Sequence, residues 1–247
     1  VIAALVFGCA IAGLYVQRLL PDEHKSETSR DLLKQLTGIV GLLLALILGT
    51  VTGASFSSFW TQRSELEAFS AQMLLLDQSL AQYGTDTKPA RAAMKDTLVQ
   101  AYRLIWGGGD VDKSTLTVAV PLARLRAMNE FLGTLEPKTD MQKHALEKAR
   151  ELVWSVTQSR LLMSLQVSSH PVSWPLMTIL LFWTLALFFA FGLLSRTINA
   201  TVVTALAFAA LSVAGAMFLI LELGRPYTGL YKVSPAALQE TIEFLDK

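Results

Sequence analysis

Residues 35–84 read QLTGIVGLLLALILGTVTGASFSSFWTQRSELEAFSAQMLLLDQSLAQYG. From Gln35 to Gln62 there is no Asp, Glu, Lys or Arg. A helix rises about 1.5 Å per residue and the hydrocarbon core of a bilayer is about 30 Å thick, so roughly 20 apolar residues cross it. The stretch exceeds that length and predicts a transmembrane helix over 37–60. Beyond Trp60 apolar residues fall at Leu66, Phe69, Met73, Leu76, Leu80 and Tyr83, a 3-4-3-4 spacing. That is the seam of a coiled-coil-type contact. No Pro or Gly intervenes before Gly84. One helix is therefore expected to leave the bilayer and project about 30 Å beyond it before Gly84 ends it.

Three more stretches lack all four charged residue types: 1–17, 161–195 and 197–221. The first predicts a transmembrane helix over 1–20, stopped by Pro21 and read as retained rather than cleaved, since later helices also anchor the chain. The second predicts a transmembrane helix over 174–195, after Pro171 and within reach of Pro175. The third predicts one over 201–223, ended by Gly224-Arg225-Pro226. Residues 196–200 are too few to cross a bilayer, so the last two helices form an antiparallel hairpin. Four crossings put both termini and residues 61–172 on the same side. Trp60, Trp174, Tyr227 and Tyr231 would then share one interface, where amphipathic rings prefer to sit.

Residues 61–172 read as all-helical. Pro89 opens a helix with Met94, Leu98, Ala101 and Ile105 on one face. Gly107–Gly109 breaks it. A helix over 116–135 with Pro121 near its start and another over 139–166 follow, separated by Pro137. The tail, 224–247, is amphipathic, with Ser234 as N-cap, Pro235 at the first position and Leu238, Ile242 and Leu245 on one side. The expected fold class is an all-α integral membrane protein, with four transmembrane helices and an all-helical soluble region between the second and third.

Composition excludes several classes. The charge-free stretches rule out a plain soluble domain and a disordered chain. Cys9 is the one cysteine, so no disulfide forms within the chain, and it reads as a small buried hydrophobe. A net charge of +1 with no basic stripe gives no reason to expect a nucleic-acid partner.

In the second helix Gly38, Gly41, Ala45, Gly49 and Thr52 fall within an arc of about 80°. Small residues let helix backbones approach in lipid, and they also leave room for water in a pore wall. Gly41, Ala45, Gly49, Thr52 and Phe56 are thus candidate pore-lining or helix-packing residues. Thr201, Ala205, Ser212 and Gly215 make a second small face. No ionisable residue lies deep inside a predicted span, which argues against a proton pump. Arg63 and Glu67, four apart, and Glu222 and Arg225, three apart, are candidate interfacial ion pairs or a gate.

Catalysis finds little support, and no catalytic residue, cofactor or metal is expected. His24, His144 and His170 are scattered. His144, Glu147 and Glu151 share a helical face but lack further ligands, so a solvated charged face is the reading. Gly107–Gly109 has no following Lys-Ser/Thr. Asp110, Asp112 and Ser114 mimic a calcium loop, but Thr115 stands where Gly is needed and Pro121 where Glu is needed.

Residues 41–84 and the tail ELGRPYTGLYKVSPAALQ, residues 222–239, resemble the bestrophin-like family. The closing pattern carries the resemblance most specifically: Glu222, Arg225, Pro226, Tyr227, Gly229, Val233, Ser234, Pro235 and Leu238. Arg63, Glu67, Asp77, Tyr83, Gly84, Arg91 and Trp106 are further matching features. Many members follow the Glu-Ala pair with an Asn-Ala-Ile-Gly-Thr-like run; Glu67-Ala68 here precedes Phe69-Ser70-Ala71, the mark of a divergent branch. The resemblance implies a four-helix membrane layout, a ring of subunits and a cytoplasmic helical region, by distant likeness to bestrophin anion channels.

The expected function is therefore an oligomeric membrane protein acting as an ion channel or pore-forming protein, with a helical cytoplasmic vestibule. Its partners would be the lipid bilayer, further copies of the chain and inorganic ions. Its place would be the cell membrane as a multi-pass protein (the inner membrane, in a bacterium). Basic residues near the spans number five on one side and four on the other, so orientation follows the resemblance rather than charge. The alternative is a non-conducting scaffold or sensor that recruits a soluble partner through residues 61–172.

Overall fold

A computed structural model describes residues 1–21, 27–107, 119–168, 174–195, 199–227 and 229–245, without the side chains of 119–122 and 163–168. Its helices are α1 (Ile2–Leu19), α2 (Glu27–Tyr83), α3 (Lys88–Trp106), α4 (Ala119–Thr134), α5 (Asp140–Ser168), α6 (Trp174–Leu194), α7 (Ala200–Leu223) and α8 (Ala236–Phe244). No strand occurs among the described residues. Four of the helices, α1, α2, α6 and α7, are long and apolar enough to cross a membrane.

Local chemistry sets the ends. Leu20, before Pro21, is extended at φ −64°, ψ 135°, as the proline ring requires of the residue it follows, and α1 stops there. Helix α2 begins at Glu27, earlier than the apolar stretch alone implies, because residues 27–36 contain no breaker and Glu27 puts a carboxylate in the first turn. It then runs unbroken for 57 residues. Gly84 ends it at φ +128°, a conformation that side chains resist. Asn199 caps α7, its side-chain oxygen accepting from Val202 N at 2.9 Å. Helix α8 starts at Ala236 with Pro235 in the cap position, one residue later than the expected Ser234 cap; the Ser234 hydroxyl accepts from Ala236 N instead.

The chain divides into two compact units, Val1–Ser58 with Pro171–Gly224, and Phe59–His170 with Arg225–Lys247. The tail thus belongs with the helical middle of the chain. In the first unit α6 lies against the other apolar helices. Val6, Ala10 and Leu14 of α1 pack with Phe188 of α6 and with Leu206 and Ala210 of α7. Leu44 of α2 packs with Met177, Leu180 and Leu187 of α6 and Met217 and Ile220 of α7. The tightest crossing joins α1 and α6 through two glycines. A Cβ on Gly13 would lie 2.2 Å from the Phe189 carbonyl oxygen, and one on Gly192 would lie 2.2 Å from that of Ala10. Arg30, at the start of α2, donates to the Leu194 carbonyl at the end of α6, which satisfies one of the carbonyls a helix end leaves open.

In the second unit the remainder of α2 is tied to α3 through Asp77 and Arg91 and to α5 through Gln72. All six seam residues, Leu66 to Tyr83, are buried by the chain's own helices. The Gln72 amide donates to Ser155 Oγ at 3.0 Å and accepts from Ser159 at 3.1 Å, clipping α2 to α5. Gln142 does double work at the start of α5. Its oxygen accepts from Lys138 N, and its nitrogen donates to the Tyr83 carbonyl at the end of α2. Arg150 of α5 donates to the Leu132 carbonyl near the end of α4. Helix α8 rests on α3.

Candidate functional site

The small face of α2 is mostly unfilled. Nothing lies within 4 Å of a Cβ built on Gly38, Gly49 or Gly53, and Ala45 is exposed. Gly41 is the exception: its Cβ would stand 3.8 Å from Leu187 Cδ1 of α6, an ordinary contact. Thr52 is half-buried and donates its hydroxyl hydrogen to the Leu48 carbonyl at 2.7 Å. Phe56 is exposed. The structure thus places Ala45, Gly49 and Phe56 on an open surface and turns Gly41 toward α6. The small face of α7 is also open: Thr201, Ala205 and Ser212 are exposed, and a Cβ on Gly215 meets nothing. Several threonine and serine hydroxyls on the apolar helices bond to their own helix, Thr50 to Ile47 on α2, Thr184 to Leu180 on α6 and Ser212 to Phe208 on α7. Each donor hydrogen is used, so such a side chain offers its oxygen as an acceptor.

Arg63 Nε donates to Glu67 Oε1 at 3.0 Å, and the Arg63 guanidinium stands 4.9 Å from the Trp60 ring centre. Both partners are about half exposed, so the pair contributes little, about 0.2–1 kcal/mol. Glu222 is half-buried at the end of α7, and Arg225 is exposed in the second unit.

Sequence reasoning missed a polar and aromatic core in the second unit. Asp77 is buried and accepts from Arg91 Nε and Nη2 at 2.6 and 2.7 Å, a bidentate pair. These bonds, more than any other influence, hold the Arg91 pKa above the usual guanidinium value. Trp106 donates its indole N–H to the Val233 carbonyl at 3.0 Å, stacks near Tyr102 and meets the edge of Tyr227. Tyr227 is 8% exposed, so it is a core residue and not part of an interfacial belt. Its ring is covered by Trp106, which the aromatic count along the sequence could not reveal. Trp60, Trp174 and Tyr231 are exposed.

Burial, helped by the nearby Glu65 carboxylate, pushes the Tyr227 phenol up to about 12, with Arg160 pulling the other way. Arg160 sits 5.1 Å from the Phe69 ring centre. Its pKa is lowered, chiefly by burial; Tyr227 opposes the shift and Arg124 adds to it. Gln62 Oε1 and Ser70 Oγ are buried without a hydrogen-bond partner. The spacing Asp77…Arg91 and the lone Gly84 between two helical patterns were the available signals for this arrangement.

His144 and its neighbours lie on solvent: His144 Nδ1 is 3.8 Å from Glu147, and Lys148 pairs with Glu151. Among the described residues no group of three metal-ligating side chains occurs. The calcium-loop spacing Asp110–Ser114, with His24 and His170, falls outside the described residues.

The Bestrophin-like domain matches residues 3–238. The chain belongs to the bestrophin-like family. No curated protein and no solved structure matches it. The match spans both units, and several features that carried the resemblance now have structural roles. Asp77 and Arg91 pair, Gly84 turns the chain and Trp106 pins the Arg-Pro-Tyr segment's neighbour Val233. They hold the helical unit of this bestrophin-like protein together.

Proposed function

We propose that this bestrophin-like protein is a homo-oligomeric ion channel of the cell membrane. Copies surround a path lined by the open face of α2, at Ala45, Gly49, Thr52 and Phe56, with α7 as a further contributor. Residues 61–172 form a cytoplasmic vestibule, and Arg63, Glu67, Glu222 and Arg225 are candidate gating residues.

The observation that carries this reading is the unfilled small face of α2 in a chain of this family. A strip of glycine and alanine that is left uncovered at Gly38, Ala45 and Gly49 by its own chain is suited to water or to a second copy. Purified protein in liposomes should pass ions above an empty-vesicle background, and Gly49→Trp should abolish that flux. Vesicles as tight as protein-free ones across voltage, pH and calcium would overturn it.

The scaffold reading draws on Trp154 of α5, 71% exposed in the second unit. It predicts tight vesicles together with a partner crosslinked to residues 61–172.

A further inference from the structure

In the second unit, residues 229–232 carry Leu230 at 87% exposure and Tyr231 at 61%. This turn is held on both sides. Gly229 N donates to the Arg225 carbonyl and Val233 N to the Pro226 carbonyl, each at 2.9 Å. The Val233 carbonyl in turn accepts from Trp106, and the Tyr231 ring rests 5.4 Å from that of Phe59. Leu230 is thus fixed in an outward position. A singly exposed leucine would need no explanation, but Leu230 stands beside exposed Tyr231, and together they make an apolar surface.

Three features choose between lipid and protein. Lys232 and Arg225, both exposed, flank the apolar residues with positive charge. Tyr231 is 61% exposed with its ring tilted against Phe59, the half-wet placement such rings take at headgroup level. Phe59 and Trp60 continue the charge-free stretch of α2, while the turn itself follows the charge-free stretch of α7 in sequence. We propose that residues 229–232, with exposed Trp60, dip into the headgroup layer of the bilayer and bind anionic lipid through Lys232 and Arg225. This rests on reading the chain as membrane-spanning.

Cys9 is the one cysteine among these 247 residues, so a Cys9→Ser background allows a single fluorescent probe at Leu230→Cys. Probes at Leu42→Cys and Trp154→Cys serve as references for lipid and for water. In vesicles containing phosphatidylglycerol, the Leu230 probe should be quenched by a nitroxide near the lipid headgroup and little by iodide. With the nitroxide carried on phosphatidylglycerol rather than phosphatidylcholine, quenching should be stronger. That preference should fall about fivefold for each of Lys232→Gln and Arg225→Gln. Quenching by iodide to the level of Trp154 overturns the proposal, and so does shielding from both quenchers, which means a protein cover. If the Leu42 probe also fails to meet lipid, the membrane reading itself is wrong. If Leu42 meets lipid and Leu230 does not, this inference alone falls.

Discussion

Two side chains of the second unit bear directly on its stability. Asp77 is buried and Arg91 is about one-third exposed, so removing the carboxylate strands the guanidinium in a partly dry place. Asp77→Asn should lower unfolding stability by about 2–3 kcal/mol, below the range for fully buried pairs because Arg91 reaches solvent. Asp77→Met with Arg91→Met should recover most of it, as measured by denaturant unfolding in detergent. Tyr227 gives a pH signature. Its folded pKa, about 12, lies above the ordinary 10.0, so its stabilisation is fully present below about pH 10 and is lost as pH rises through 12. The loss amounts to about 2–3 kcal/mol. One tyrosine should ionise late in an ultraviolet titration, and Tyr227→Phe should remove that late step and flatten the alkaline decline in stability.

Among elements, the close crossing of α1 and α6 sets a sharp contrast with the open face of α2. A Cβ on Gly13 runs into backbone, which cannot move aside as a side-chain tip can. Gly13→Val should therefore cost at least about 1–3 kcal/mol, the range for overpacking. Gly49→Ala meets nothing within the subunit. It should leave the melting temperature of the dissociated subunit unchanged or slightly raised, because alanine is the better helix former. Equal losses for the two would mean that α2 is covered within the chain. The sequence made the helices legible because lipid and breakers act locally: charge-free length sets the apolar helices, and Gly84, Pro21 and Pro89 mark joints. The seam was legible for the same reason. Its partner was not, since a 3-4 spacing says that a face is covered without saying by what, and here the seam is buried within the chain itself. Gly13 read as an interruption of α1 because its meaning depends on Gly192, far away in sequence. Tyr227 and Asp77 were opaque for a related reason: burial of a polar group depends on the partner that folding delivers.

For the whole molecule, the question is what would meet the small face of α2 in the proposed assembly of copies. The buried seam bears on this, because its six residues already pack inside the chain and the proposed contacts between copies would use other faces. The open strip at Gly38, Ala45, Gly49 and Gly53 remains, and water and a neighbouring helix make different demands on it. A helix seated there excludes solvent from a backbone-close contact. A water path keeps each copy's residues accessible from the aqueous phase. In a Cys9→Ser background, Gly49→Cys should react with a small charged thiol reagent added to reconstituted vesicles, and ion flux should fall as modification proceeds. Leu14→Cys should stay unreactive under the same conditions, since Leu14 is buried in the core of the first unit and the smaller cysteine fits there without displacing α6. Rapid disulfide formation between copies at Gly49, with no reagent access, would instead assign the face to packing and move the permeation path away from α2.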